Sequence, residues 1–74
     1  MSKKVFNLNS EYIRLDDLLK LTGCVMTGGQ AKMMIQSGEV TVDGEVCLMR
    51  GKKLRGGETV AIPADGEEIS VDRT

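Results

Sequence analysis

Histidine and tryptophan are absent from this 74-residue chain, proline occurs once, and the aromatics are Tyr12 and Phe6 alone. Without histidine the chain lacks the commonest general base, the partner that serine and cysteine triads need, and the commonest metal ligand. The two cysteines, Cys24 and Cys47, form no C-x-x-C pair. A zinc site is therefore short of ligands, and both thiols are expected as small buried or half-buried side chains in a reducing cytoplasm, with no disulfide. No apolar run approaches the roughly 20 residues of a membrane span. The start, MSKKVFNLNS, carries two lysines with no apolar stretch behind them, unlike a secretory leader. The expectation is a cytoplasmic chain with no membrane partner, no metal and no cofactor.

The carboxylates that remain have non-catalytic explanations. Asp16-Asp17 suits the first turn of a helix, where the dipole favours negative charge, and Glu67-Glu68 suits a solvated face. Neither a Walker loop nor a Rossmann fingerprint occurs, so no small-molecule nucleotide substrate is expected. An enzyme is not expected. The scarcity of aromatics also narrows any nucleic-acid partner. A single-strand binder needs stacking platforms and an RRM needs an aromatic pair on its sheet. Phosphate and shape recognition of a structured RNA suits this composition better.

The net charge of −1 hides a polarised chain. Residues 1–57 hold nine basic against six acidic side chains, a surplus of +3, whereas residues 58–74 hold five acidic side chains against Arg73, a balance of −4. A local basic patch can coexist with an acidic total.

The length predicts one domain over residues 1–74, with a small core and little stability in reserve. Val5, Phe6 and Leu8 predict a short strand, and Tyr12-Ile13-Arg14-Leu15 an extended entry into a helix. Leu15, Leu18 and Leu19 then fall at i, i+3, i+4, and Gly23 stops that helix. Thr27-Gly28-Gly29-Gln30 fits a capping box, with Thr27 as N-cap and Gln30 reaching back to it. Ala31, Met34 and Ile35 repeat the apolar spacing up to Gly38, which leaves Gly28, Gly29, Lys32 and Gln36 on a face away from the stripe, with Met33 also outward. Val40 and Val42 alternate into Asp43-Gly44, a type I′ hairpin signal, and Glu45 to Leu48 should pair back. Arg50-Gly51-Lys52-Lys53-Leu54-Arg55-Gly56-Gly57 reads as a glycine-flanked basic loop. Thr59 to Ile62 and Glu68 to Val71 read as strands around a second hairpin signal, Asp65-Gly66. Leu15, Leu18, Leu19, Ala31, Met34, Ile35, Val40, Val42 and Val60 form the expected core.

Two features call for a partner. Gly28-Gly29 places two poor helix formers in a first turn. Either they permit close helix packing, or a polymer phosphate approaches their backbone beside Lys32. The basic loop, with Arg50, Lys52, Lys53 and Arg55 and no acid between, is either a solvated loop or a phosphate-contacting one.

Arg14-Leu15-Asp16, Thr27, Gln30-Ala31-Lys32, Ile35, Gly38, Val40, Val42-Asp43-Gly44 and Gly57-Glu58 with Val60 together resemble the S4-type RNA-binding domain of ribosomal proteins. Its pattern reads R-L-D, then S-R-x-x-A-x-x-L-I-x-x-G-x-V-x-V-N-G, then G-D-x-I/V. Gly-Gly-Gln-Ala-Lys with a later Arg-Gly-Lys-Lys-Leu is similar to the small stand-alone bacterial, YbcJ-like members. The resemblance covers about residues 12–62. It implies an α+β fold, two short helices packed on a small, mostly antiparallel sheet (the αL motif), that binds structured ribosomal or transfer RNA. The family's RNA-facing positions include basic residues of the second helix, of which Lys32 matches one. Gly28 stands where an arginine is usual, Asp43 where asparagine is usual, and Glu58 where aspartate is usual. The candidate RNA-binding residues are thus Arg14, Gly28, Gly29, Lys32, Arg50, Lys52, Lys53 and Arg55. Arg14 is either a contact or a structural partner of Asp17 or Glu11. The competing reading is a protein-interaction module, in which exposed Met33 and the acidic C-terminal segment carry the partner.

Overall fold

The computed structural model describes residues 2–73. Met1 and Thr74, the two ends of the expected 1–74 domain, lie outside the described residues. The chain runs β1 (Ser2–Leu8), β2 (Ile13–Arg14), α1 (Leu15–Leu21), α2 (Gly28–Gln36), β3 (Thr41–Val42), β4 (Glu45–Val46), β5 (Lys53–Leu54), β6 (Thr59–Ile62), a 3-10 turn (Pro63–Asp65) and β7 (Glu67–Arg73). Five strands form one sheet in the order β1-β7-β6-β3-β4, and β2 pairs with β5 in a separate two-stranded ribbon. The fold is α+β. Within the larger sheet the β1–β7 ladder is parallel and the other three are antiparallel.

Local chemistry explains most elements. Thr27 caps α2 as expected: its Oγ1 accepts from the Gln30 amide at 3.1 Å. The return half of the box is displaced by one residue. Gln30 Oε1 accepts from the Met26 amide at 2.7 Å rather than from Thr27, so the side chain fixes the chain entering the cap. Gly23 and Gly38 end the two helices at φ +80° and +84°, the left-handed conformation that glycine adopts without a Cβ penalty. Asp43 and Gly44 make the β3–β4 turn with positive φ at both positions, 53° and 86°, as a type I′ hairpin requires. The returning strand is shorter than expected: the ladder holds Glu45 and Val46, and Cys47 adds one bond, its amide donating to the Val40 carbonyl at 3.0 Å.

One hydrophobic cluster joins both sheets and both helices. Eight of the nine expected core residues are buried; Met34 is half-buried and packs on the cluster from outside. Leu8, Ile13, Val25, Leu54, Ile62, Ile69 and Val71 complete it. Most of these additions come from strands that the tertiary fold pairs, above all β7, which lies between β1 and β6. Lys4 ties β1 to α1: its Nζ donates to the Thr22 carbonyl at 2.9 Å and stands 3.8 Å from Glu67 Oε2. Cys24 and Cys47 are free and half-buried against the cluster.

Candidate nucleic-acid interface

The segment read from sequence as a glycine-flanked basic loop contains a short strand, β5, and carbonyls that cap a helix. In the ribbon, Ile13 faces Leu54 and Arg14 faces Lys53. Leu54 is fully buried and Ile13 nearly so. Successive side chains on a strand point to opposite faces. Burial of Ile13 and Leu54 therefore turns Tyr12, Arg14, Lys53 and Arg55 to the solvent face, and all four are exposed. One step beyond the ladder, the register sets Tyr12 opposite Arg55. Lys53 Nζ lies 4.9 Å and Arg55 Cζ 5.9 Å from the Tyr12 ring centroid. At an exposed site each such contact contributes about 0.5–1 kcal/mol, enough to order a cation without removing it from solvent.

The backbone around this face is tied down. The Lys52 carbonyl accepts from the Leu15 amide at 2.9 Å and the Arg50 carbonyl from the Asp16 amide at 3.0 Å. Two of the unpaired donors at the start of α1 are thereby satisfied, and the Asp17 amide donates to Asp16 Oδ1 at 2.9 Å. The start of α1 is closed by protein, and the side chains of Arg50 and Lys52 are left exposed beside it. Glu58 closes the far end. Its carboxylate accepts from the Arg55 and Gly56 amides, both at 2.8 Å, which bends the chain into the Gly56-Gly57 turn. Arg73 Nη1 donates to the Arg55 carbonyl at 2.9 Å, so the C-terminal strand also supports the ribbon.

Arg14 pairs with neither Asp17 nor Glu11. Its Nη2 meets Asp16 Oδ2 at 3.2 Å, and the guanidinium lies against the backbone of Gly51. Two residues along, with the β-strand giving way to the helix, Asp16 reaches back where Asp17 and Glu11 do not. A half-exposed pair of this kind contributes at most about 1 kcal/mol, so Arg14 remains free to exchange its partner for a phosphate.

Gly28, Gly29 and Lys32 occupy the exposed side of α2. A Cβ on Gly28 would meet nothing within 4 Å, and one on Gly29 only Thr27 Oγ1 at 3.8 Å. Neither glycine has a positive φ. Helix packing is thus not what requires them. The first intrahelical bond after the cap is Ala31 to the Thr27 carbonyl, 3.1 Å, so the Gly28 and Gly29 amides lie ahead of it as outward donors. Among the described residues no hydrogen bond, ion pair or ring contact joins this trio to the ribbon. The two groups are connected through α1, which packs on α2 and continues directly from β2.

The structure therefore gathers Arg14, Arg50, Lys52, Lys53 and Arg55 around one ribbon and holds Gly28, Gly29 and Lys32 on a neighbouring helix. Sequence reading missed Tyr12 as a member of the cationic face. Its signal was the matching alternation of Tyr12-Ile13-Arg14 and Lys53-Leu54-Arg55, apolar at the centre of each triplet. Among the described residues no group of three or more histidine, cysteine, aspartate or glutamate side chains is placed to hold a metal ion, and no helix is long and apolar enough to cross a membrane.

Comparison with known proteins accords with this geometry. The S4 domain family model matches residues 6–72. YbcJ of Escherichia coli (strain K12) is 38% identical over 58 residues, 78% of this chain and 83% of that protein. RlbA of Bacillus subtilis (strain 168), named as a probable ribosome maturation protein, is 37% identical over 60 residues, 81% of this chain and 84% of its own length. The solution structure of E. coli YbcJ, described as revealing an αL motif involved in RNA binding, superposes with a TM-score of 0.72 at 36% identity, covering 97% of this chain and 90% of that one. With two helices on a mostly antiparallel sheet and a family model matched over nearly its whole length, the chain belongs to the S4 domain family.

Proposed function

We propose that this chain binds structured RNA, ribosomal or transfer RNA, through phosphate and shape contacts in the cytoplasm, and catalyses no reaction. The β2–β5 ribbon carries the reading. Its apolar side is anchored in the core, which obliges Arg14, Lys53 and Arg55 to project from the other side. Arg50 and Lys52 flank them, and the Gly28-Gly29 amides with Lys32 extend the surface along α2. The description of the YbcJ structure supports RNA as the partner, and the name of RlbA supports a setting in ribosome maturation.

If three or four of these cations each neutralise one phosphate, log affinity should fall with log salt at a slope of about −3, from roughly −0.9 per duplex phosphate contact. Lys52→Ala should weaken all structured RNAs about equally and flatten the slope by ~1. Gly29→Glu should fold, since the position is open and a carboxylate suits a helix start, yet it should repel a phosphate and bind less well. Salt-independent binding, or none, in a filter or fluorescence titration would refute the phosphate reading. Parent affinity in Gly29→Glu would remove α2 from the site.

A second reading keeps one specific observation. Met26 and Met33 are 87% and 74% exposed, and Met33 lines a groove with Cys24, Val25 and Met34. Exposed thioethers suit an adaptable protein-docking surface. Isolation of the protein from cells free of RNA but with a stoichiometric protein partner would favour that reading.

A further inference from the structure

Resting on the RNA-binding reading above, we propose that Tyr12, with Lys53 and Arg55 beside it, is the seat of one unpaired nucleobase. The ribbon face would then distinguish an RNA helix interrupted by an unpaired nucleotide from a fully paired one. The sequence has one tyrosine and no tryptophan. Tyr12 is 39% exposed instead of filling the core, and two cations stand within 6 Å of its ring centroid.

Each part of this arrangement matches a part of a nucleotide. The ring offers a flat apolar face, and every base has a complementary π-face once it leaves the helical stack. Bases inside a continuous duplex have no such face to offer. The cations match the phosphates on either side of the extruded base. When RNA arrives, Lys53 exchanges the ring for a flanking phosphate, and the base takes the ring face that the ammonium covered. The planar guanidinium of Arg55 can stay as a second stacking surface. Arg14, on the same face of the ribbon and two residues from Tyr12, reaches the next phosphate. A solvated aromatic with no partner would gain nothing from this register, whereas a base-stacking one needs its cations on the same face.

The probes are a hairpin RNA closed by a non-nucleotide linker with one bulged adenine, the same hairpin fully paired, and the same hairpin with an abasic bulge, all titrated at matched salt. The parent should prefer the bulged adenine about tenfold, within the range set by a single base–aromatic stack, and the abasic hairpin should bind like the paired one. All of the tyrosine emission comes from Tyr12, so the bulged adenine should quench it and the abasic bulge should not. Tyr12→Phe should keep the preference. Tyr12→Leu should lose it while still binding the paired hairpin in a salt-dependent way. Retention of the preference in Tyr12→Leu overturns the proposal. So does equal, salt-dependent binding of all three RNAs by the parent, which leaves the phosphate reading intact. The abasic comparison and the emission need no variant, so a Tyr12→Leu protein that failed to fold would not block the test. Absence of salt-dependent binding to any of the three overturns both readings together.

Discussion

Asp43 joins a backbone requirement to a side-chain one. Its φ of 53° lies in the left-handed region, which aspartate and asparagine tolerate better than other side chains. Its amide donates to the Thr59 carbonyl at 2.8 Å and its Oδ1 accepts from the Thr59 amide at 2.9 Å, which staples the hairpin to the start of β6. The Oδ1 of Asp43 thus supplies the fold with the acceptor that the usual asparagine would offer. Asp43→Asn keeps the acceptor and the conformation, and its stability should stay within about 0.5 kcal/mol of the parent. Asp43→Val loses both and should cost about 2–4 kcal/mol, from strain at positive φ and an unpaired amide. Urea denaturation distinguishes these outcomes, and equal stability of the two variants would show that the staple contributes little.

At the scale of elements, the ribbon presents charge because one leucine holds it down. Leu54 carries no charge, yet it decides where Lys53 and Arg55 point. Leu54→Ala should destabilise the protein by about 2–5 kcal/mol through the cavity it leaves. Where circular dichroism still shows the variant folded, it should bind structured RNA more weakly than the parent although every cation remains. Leu54→Met, close in volume, should cost under about 1.5 kcal/mol and keep binding. Parent-like affinity in folded Leu54→Ala would mean that the cations work from a flexible segment. The helices contrast with the ribbon in how they are specified. Thr27, Gln30, the apolar triplet of Ala31, Met34 and Ile35, and the stop at Gly38 lie within 12 consecutive residues, so α2 is legible from local chemistry alone. β5 is not. Lys53-Leu54-Arg55 contains one apolar residue, and its partner Ile13 lies about forty positions earlier. Nothing local separates such a strand from a basic loop.

Across the whole molecule, the 12–62 segment that carries the short sequence motifs does not hold the sheet together by itself, and the family model extends beyond it to residues 6–72. The 12–62 core includes the helices, the hairpin, the ribbon and β6, but neither β1 nor β7. Without β1 and β7, Val60 loses its partner Ile69, and the buried Leu8, Ile69 and Val71 are gone. Each buried aliphatic side chain contributes about 1.5–3 kcal/mol, against a total stability of about 5–15 kcal/mol for a domain. A fragment of residues 12–62 should therefore show no cooperative thermal transition by circular dichroism, whereas the 74-residue chain should melt cooperatively. A folded fragment would show that β1 and β7 are accessory. The charge asymmetry also takes on a different meaning at this scale. The acidic C-terminal segment is a central strand of the sheet, and its Arg73 braces the ribbon through the Arg55 carbonyl.

By itself the sequence determined whatever depends on neighbours along the chain: the helix caps, the apolar faces of α1 and α2, the type I′ turn at Asp43-Gly44, and the excess of cations between Arg50 and Arg55. These are short-range effects of hydrogen-bonding side chains, backbone freedom at glycine and periodicity, and they act before any distant segment arrives. Only the tertiary structure decided which carboxylate meets Arg14, that β1 joins β7 in parallel, and that Leu54 reaches the core opposite Ile13. Those outcomes depend on pairing segments tens of residues apart, where burial of a few apolar side chains selects one register among many. That same register put Tyr12 among the cations, because once Ile13 and Leu54 turn inward the alternation of the strands leaves their neighbours no other face.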